Sequence, residues 1–178
     1  MHDYLLVIGE DPIERAMGLS LSIGTPDWVR IGGAYSGALP VLGSRGAGET
    51  DDMPPALKAR LTRVLSEPGA NPPRIRPDGL LGVDQIRRGD LDLSAIESPS
   101  SILDEHGKVH DPGYTPDEEV LGMTLDMAAA AGITLEEAPD EDELARFEAK
   151  TRAWDRRVRE ILAALPDDAL LTVIDVHA

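Results

Sequence analysis

The stretch LLTVIDVHA, residues 170–178, predicts the strand on which the fold is centred. Its apolar residues stand at odd and even positions alike, which is typical of a strand that is covered on both faces. Asp175 and His177 follow within it, two residues apart, so they share one face of the strand. Ligand pockets in α/β architectures open at the C-terminal ends of strands, and this end is therefore a candidate site.

The composition indicates one acidic domain with an aliphatic core. A chain of 178 residues is long enough for one core, and 42% hydrophobic but only 3% aromatic residues make that core aliphatic. The formal net charge of −16 argues against direct binding to nucleic acid, which requires clustered positive charge. An acidic surface leaves open a contact with a basic partner or an acidic mimic of nucleic acid.

The chain contains no cysteine, which excludes disulfides, thiolate metal sites and cysteine nucleophiles. No basic region precedes a long apolar run after Met1, and no apolar stretch approaches the roughly 20 residues that span a bilayer. We therefore expect a cytoplasmic protein that does not contact membranes.

Strand signals predict a single α+β domain over residues 1–178. A buried first strand at Tyr4–Ile8 and the last strand are expected to be central in a mixed sheet. Two hairpins, over 28–42 and 101–110, extend that sheet, and Gly107 takes the turn position that needs a positive φ.

Four helices are expected, and capping residues and prolines mark their ends. They are a helix from Ile13 to about Leu21, one that opens at Pro54–Pro55 with Asp51 or Asp52 as its cap, one with a capping box at Thr115–Glu118 that ends at Gly132, and a long one from Asp140 to Leu165 that packs across the sheet. The segment 67–82 holds four prolines and three glycines, so we expect a surface loop without regular structure there.

Asp175, His177 and Glu10 form the candidate set for metal binding or acid–base catalysis. Glu10 follows the first strand, so parallel first and last strands would bring together three ligands that suit a divalent metal in a hydrolase. Antiparallel strands would separate them. The alternative is structural: Asp175 accepts hydrogen bonds from loop or helix amides, and His177 is a frayed terminal residue.

The segment 31–37, IGGAYSG, is a candidate ligand-binding turn. Gly32, Gly33 and Gly37 permit close backbone approach, and Ser36 offers a hydroxyl beside Tyr35. The spacing matches neither a Walker loop nor a dinucleotide-binding fingerprint, and a serine nucleophile would need a G-x-S-x-G motif that is missing. A bulged strand is the competing interpretation, with glycine chosen for backbone geometry.

Three motifs, DWVRIGGAYSG at 27–37, DEHGKVH at 104–110 and LPDDALLTVIDVH at 165–177, resemble a family of uncharacterised actinobacterial and actinophage proteins. That family shows a first strand ending in Gly-Glu-Asp/His-Pro, a D-W-x-x-I/V-G-G-R-W-S/T-G segment, a D-G-x-W-H hairpin and a C-terminal V-V-D-C-H-I strand. This chain departs from the pattern, with Ala34-Tyr35 for Arg-Trp, Val109 for the hairpin Trp and Val176 for Cys. The resemblance implies one cytoplasmic α+β domain in a bacterial or phage setting and implies no activity.

Together these patterns favour a non-catalytic cytoplasmic binding protein, with a protein partner or small ligand and an accessory role in a bacterium or phage. One alternative is a metal-dependent hydrolase or nucleotide-binding enzyme that uses Asp175, His177 and Glu10, with a divalent metal as cofactor. The other is an acidic mimic of nucleic acid.

Overall fold

A computed structural model describes residues 2–19, 25–46, 53–132, 134 and 139–177. The strands in chain order are β1 (His2–Ile8), β2 (Trp28–Ile31), β3 (Leu39–Pro40), β4 (Arg74–Ile75), β5 (Leu81–Val83), β6 (Gln85–Arg87), β7 (Ser101–Leu103), β8 (Val109–His110) and β9 (Leu170–His177). The helices are α1 (Pro12–Met17), α2 (Pro55–Val64), α3 (Pro116–Ala131) and α4 (Glu141–Ala163).

The strands β1 and β9 form the centre of a mixed six-stranded sheet, as the sequence predicts. The sheet has the order β2-β9-β1-β7-β8. Strand β6 pairs with the first residues of β9, on the same edge on which β2 pairs with its last residues. Strand β1 runs parallel to β7 but antiparallel to β9, with Tyr4 opposite Asp175 and Ile8 opposite Leu171. Because β1 and β9 are antiparallel, Glu10 is separated from Asp175 and His177.

Both faces of the central strands are covered. On one face, Leu171 and Val173 of β9 share a cluster with Val158 and Leu162 of α4, whose side chains are fully buried. On the other face, Ile174 belongs to a second cluster with residues of β1 and α1. Full burial of a Leu, Ile or Val side chain stabilises the fold by about 1.5–3 kcal/mol, so these two clusters hold the sheet between α4 and α1.

The expected hairpin over 28–42 is wrong. Strand β2 pairs with β9 in the main sheet, whereas β3 pairs with β5 in a second sheet of order β3-β5-β4. The two strands are separated by a single turn of 3-10 helix at Gly33–Tyr35, which moves the chain from one sheet to the other. Partner choice is not encoded in the local alternation of apolar residues, which is why the pattern suggested a hairpin.

The expectation that segment 67–82 has no regular structure is wrong. It contains β4 and leads into β5, and Arg76 between them is buried with its guanidinium bonded to the carbonyl oxygens of Ala38 and Ala95. These bonds tie the second sheet to neighbouring loops. The prolines are compatible with strands because these strands are only two or three residues long.

Helix ends largely follow the capping signals. Thr115 and Glu118 form the predicted capping box of α3, Gly132 ends that helix in the left-handed region, and Asp140 caps α4. Helix α2 begins after Pro54, and the caps predicted at Asp51 or Asp52 lie outside the described residues.

Helix α1 already ends at Met17, and the predicted end at Leu21 lies outside the described residues. The second predicted hairpin forms between β7 and β8, with Gly107 at φ +83°. Within the described ranges, no helix combines the length and the apolar composition that a bilayer crossing needs.

Candidate functional site

Asp175 lies in the middle of the sheet as a buried hydrogen-bond acceptor. Its side chain is 2% exposed, its Oδ1 lies 2.8 Å from Nδ1 of His2, and its Oδ2 accepts from the backbone N–H of Ala34 at 2.8 Å. Because a carboxylate loses its hydration on burial, these two contacts replace hydrogen bonds that water would otherwise make. The interpretation of Asp175 as an acceptor for a loop amide is confirmed.

His177 is an ordered member of an aromatic group rather than a frayed end. Its ring stacks on Trp28 with centroids 5.2 Å apart and an interplanar angle of 2°, and His2 contacts both rings edge-on. The sheet register explains the grouping, because His177 lies opposite His2 on one side and opposite Trp28 on the other. We call His2, Trp28, Asp175 and His177 the terminal cluster.

Glu10 lies far from the terminal cluster. Because β1 and β9 are antiparallel, Tyr4 lies opposite Asp175, whereas Glu10 follows the other end of β1 at Ile8, which is about 13 Å from Tyr4 at the rise of an extended strand. The set of Asp175, His177 and Glu10 is therefore split between opposite ends of the sheet. Among the described residues, no group of three His, Asp or Glu side chains could hold a metal ion together.

The segment 32–37 is held by two buried carboxylates. Ala34 N donates to Asp175, while the Gly37 N–H (2.5 Å) and the Ser36 hydroxyl (3.1 Å) donate to Asp84, which is 1% exposed. The turn at 33–35 is 3-10 helix, so the interpretation of this segment as a bulged strand is wrong. Its amides thus already bind anionic groups of the protein, which occupy the positions that a phosphate would need.

Glycine is required at two positions of this segment. A Cβ on Gly32 would lie 2.2 Å from Oδ2 of Asp84, and a Cβ on Gly33 would lie 2.2 Å from Oδ2 of Asp175. Both residues also have positive φ, at +72° and +55°. The close approach that the sequence suggested therefore serves two internal carboxylates.

Two tyrosines pack over the same segment. The rings of Tyr4 and Tyr35 stack with centroids 5.1 Å apart, and the Tyr35 hydroxyl donates to the carbonyl oxygen of His2 at 3.2 Å. Burial raises the pKa of both phenols above the ordinary value of 10, so both hydroxyls stay protonated at neutral pH. The buried Tyr4 hydroxyl has no hydrogen-bond partner among the described residues.

A cleft of about 630 Å³ lies beside α2, and its charged lining consists of three arginines and three aspartates. Its cations are already paired: Arg60 and Arg63 contact the buried carboxylate of Asp90, and Arg87 contacts Glu67 at 2.7 Å. These ion pairs leave little free positive charge for an anionic ligand.

The outer face of α3 carries an exposed apolar stripe that the sequence analysis did not identify. Val120, Met123 and Met127 are 58%, 46% and 70% exposed, and their spacing of three and four residues places them on one face. Only Glu118 and Ala128 of this helix are buried. The sequence of α3 does indicate this stripe, because the helix has more apolar residues than it needs for packing on one side.

His106 and His110, at the β7–β8 turn, differ in their surroundings. The His106 side chain is 82% exposed, whereas His110 is largely covered and its Nε2 lies 2.8 Å from Oδ2 of Asp104. Neither residue belongs to the terminal cluster. His2 and Asp84, by contrast, were missed as site residues because their partners are distant in sequence.

Comparison of the chain with protein-family models, with curated proteins and with solved structures gives no match.

Proposed function

We propose that this protein is a non-catalytic cytoplasmic binding protein whose contact surface is the outer face of α3, with an accessory role in a bacterium or phage. The observation that carries the proposal is the apolar stripe of Val120, Met123 and Met127. Large apolar side chains that project together into solvent are typical of a contact site, whereas single exposed ones are ordinary.

The stripe has the form of a helix that lies in an apolar groove. Anchors at positions i, i+3 and i+7 are the pattern with which amphipathic helices enter such grooves. Methionine suits this role because its flexible, polarizable side chain adapts to irregular surfaces. The opposite side of α3 packs on α4 through Gly122, against the ring of Phe147, and through the Glu118–Lys150 ion pair, so the stripe is presented on a supported helix.

The negative charge of α3 indicates which side chains the partner's surface should carry. Asp117, Glu119 and Asp126 are exposed on α3, and this helix has no lysine or arginine. A groove bordered by Lys or Arg would complement these carboxylates, and the net charge of −16 would steer such a partner toward the protein. We therefore commit to a partner protein that has an apolar groove with a basic rim.

The test is capture of a partner from a lysate of the source cells by the tagged protein, compared with the double variant Met123→Ala/Met127→Ala. We expect the double variant to reduce capture of a specific polypeptide at least ten-fold, because two anchors of about 1 kcal/mol each are lost. The matched control is Ile75→Ala, which truncates an apolar side chain that is 66% exposed elsewhere. Equal capture by the wild type and the double variant would contradict the proposal.

A further inference from the structure

We infer that Met123 and Met127 are modification sites, and that oxidation of their sulfurs by a peroxide abolishes docking through the outer face of α3. This inference rests on the proposed function, because it assigns a chemical control to the same apolar stripe. The thioether forms of the two side chains keep the stripe apolar, whereas the sulfoxide forms make it polar. Docking of α3 therefore depends on the oxidation state of two methionines.

The first argument is the distribution of sulfur in the chain. The protein has five methionines and no cysteine, so oxidation of sulfur is confined to thioethers. Met127 and Met123 are 70% and 46% exposed, whereas Met53 is 8% exposed and belongs to the core. Because a peroxide in solution must reach the sulfur atom, we expect Met127 and Met123 to be oxidised well before Met53.

The second argument is the chemistry of the step. A sulfur lone pair attacks one oxygen of hydrogen peroxide, the S–O bond forms and the O–O bond breaks. The transferred oxygen gives its proton to the leaving hydroxide, which departs as water, so sulfur loses two electrons and the peroxide gains them. The product is a polar, chiral sulfoxide in place of a flexible apolar side chain, and methionine sulfoxide reductases restore the thioether.

The third argument is the position of the two residues on α3. Met123 and Met127 are four residues apart, so their side chains are neighbours on the outer face of the helix. The opposite side of α3 is held on α4 by the Glu118–Lys150 ion pair and by the close packing of Gly122. Neither of these contacts involves a methionine. Oxidation therefore changes the apolar stripe and leaves the packing of α3 on α4 in place.

The experiment treats the full chain with hydrogen peroxide and maps the oxidised methionines by peptide mass spectrometry. Retention on a phenyl resin then measures the exposed apolar surface, and capture from the lysate measures docking. We expect oxidation of Met127 and Met123 to lower retention without a change in the midpoint of thermal unfolding. Capture should fall at least about ten-fold, as for Met123→Ala/Met127→Ala, and treatment with a methionine sulfoxide reductase should restore both readouts.

The matched control is Met123→Leu/Met127→Leu, which keeps an apolar stripe of similar volume but removes both sulfur atoms. We expect this variant to be retained and to capture the partner as the untreated wild type does, and to keep its capture after peroxide treatment. Met17 is 43% exposed on α1, outside the stripe, and is oxidised in both proteins. The difference between the two proteins therefore isolates the methionines of α3.

Retention and capture that stay the same after complete oxidation of Met123 and Met127 overturn the inference. Equal peroxide sensitivity of the leucine variant overturns it as well, as does oxidation of Met53 ahead of the two residues on α3. Failure of the untreated wild type to capture a partner contradicts the proposed function instead. Retention on the phenyl resin then still decides whether oxidation removes the apolar contact, so the two proposals can fail separately.

Discussion

At the scale of single residues, Gly33 and Asp175 require one another. The backbone of Gly33 has a φ of +55°, and a Cβ there would approach the Cβ of Asp175 to 2.4 Å as well as its carboxylate oxygen. The Cβ of Asp175 is fixed by the β9 backbone, so the clash cannot be relieved by rotating a side chain. The loop amide of Ala34 and the buried carboxylate can meet only if residue 33 is glycine.

We predict that Gly33→Ala destabilises the protein by more than the positive φ alone explains. The left-handed conformation costs a non-glycine residue about 1–2 kcal/mol, and loss of the hydrogen bond to buried Asp175 adds about 1–3 kcal/mol. The free energy of unfolding in urea measures the effect. Gly107→Ala is the matched control, because Gly107 has a φ of +83° and no atom within 4 Å of its added Cβ. Equal losses in the two variants would show that the close approach does not matter.

Single residues also show what sequence reasoning can reach at a site. The role of Asp175 as an acceptor was predictable, because an acidic residue within a two-sided apolar strand must find donors. Its partners were not predictable: His2 lies 173 positions away and Ala34 lies 141 positions away. The role of Asp84 was not predictable for the same reason, since its donors Ser36, Gly37 and Asn71 approach it only in the folded chain.

At the scale of elements, α3 depends on its first turn. Thr115 Oγ1 accepts from Glu118 N at 3.3 Å, the Glu118 carboxylate accepts from Thr115 N at 2.7 Å, and Lys150 of α4 donates to the same carboxylate at 2.6 Å. The hydrogen bond from Lys150, followed by that from the Thr115 amide, holds the pKa of Glu118 below its ordinary value of 4.5. One side chain thus caps α3 and joins it to α4.

This lowered pKa predicts a loss of stability in acid. Since the folded state holds Glu118 ionised more strongly than the unfolded chain does, its contribution is complete above about pH 4.5 and disappears as the pH falls through the lower folded value. We expect the stability difference between the wild type and Glu118→Gln to shrink steadily between pH 5 and pH 2.5, measured as midpoints of thermal unfolding. Glu119→Gln, on the exposed side of the helix, is the control. A difference that is independent of pH would contradict this role.

Local sequence signals predict some helices and strands, but they do not predict how every strand pairs. Capping residues and apolar periodicity predict α3, α4, β1 and β9, and Gly107 predicts the β7–β8 turn, because each signal acts within a few residues. Strands β2 and β3 illustrate the other class. Their sequences are compatible with pairing to each other, but β2 is recruited by β9, about 145 residues later, and β3 by β5.

At the scale of the whole molecule, β9 is the element that connects the others. It pairs with β1 along one edge and with β6 and then β2 along the other, and its residues contribute to both hydrophobic clusters. Among the described strands, β2 and β6 have β9 as their sole pairing partner. These contacts join distant parts of the chain, so the sheet can be completed only after the C-terminal strand has docked.

We therefore predict that deletion of residues 170–178 abolishes cooperative unfolding. Without β9 the main sheet loses its central pairing, the inner faces of α1 and α4 lose their shared partner, and residual helices gain little from packing. Urea unfolding followed by near-ultraviolet circular dichroism should show a sloping baseline without a transition. The full-length variant His177→Ala removes only a half-exposed side chain at the end of the strand and should keep a single transition. If the shortened chain unfolds with the wild-type midpoint, the fold is held by the remaining strands and β9 is an accessory to them.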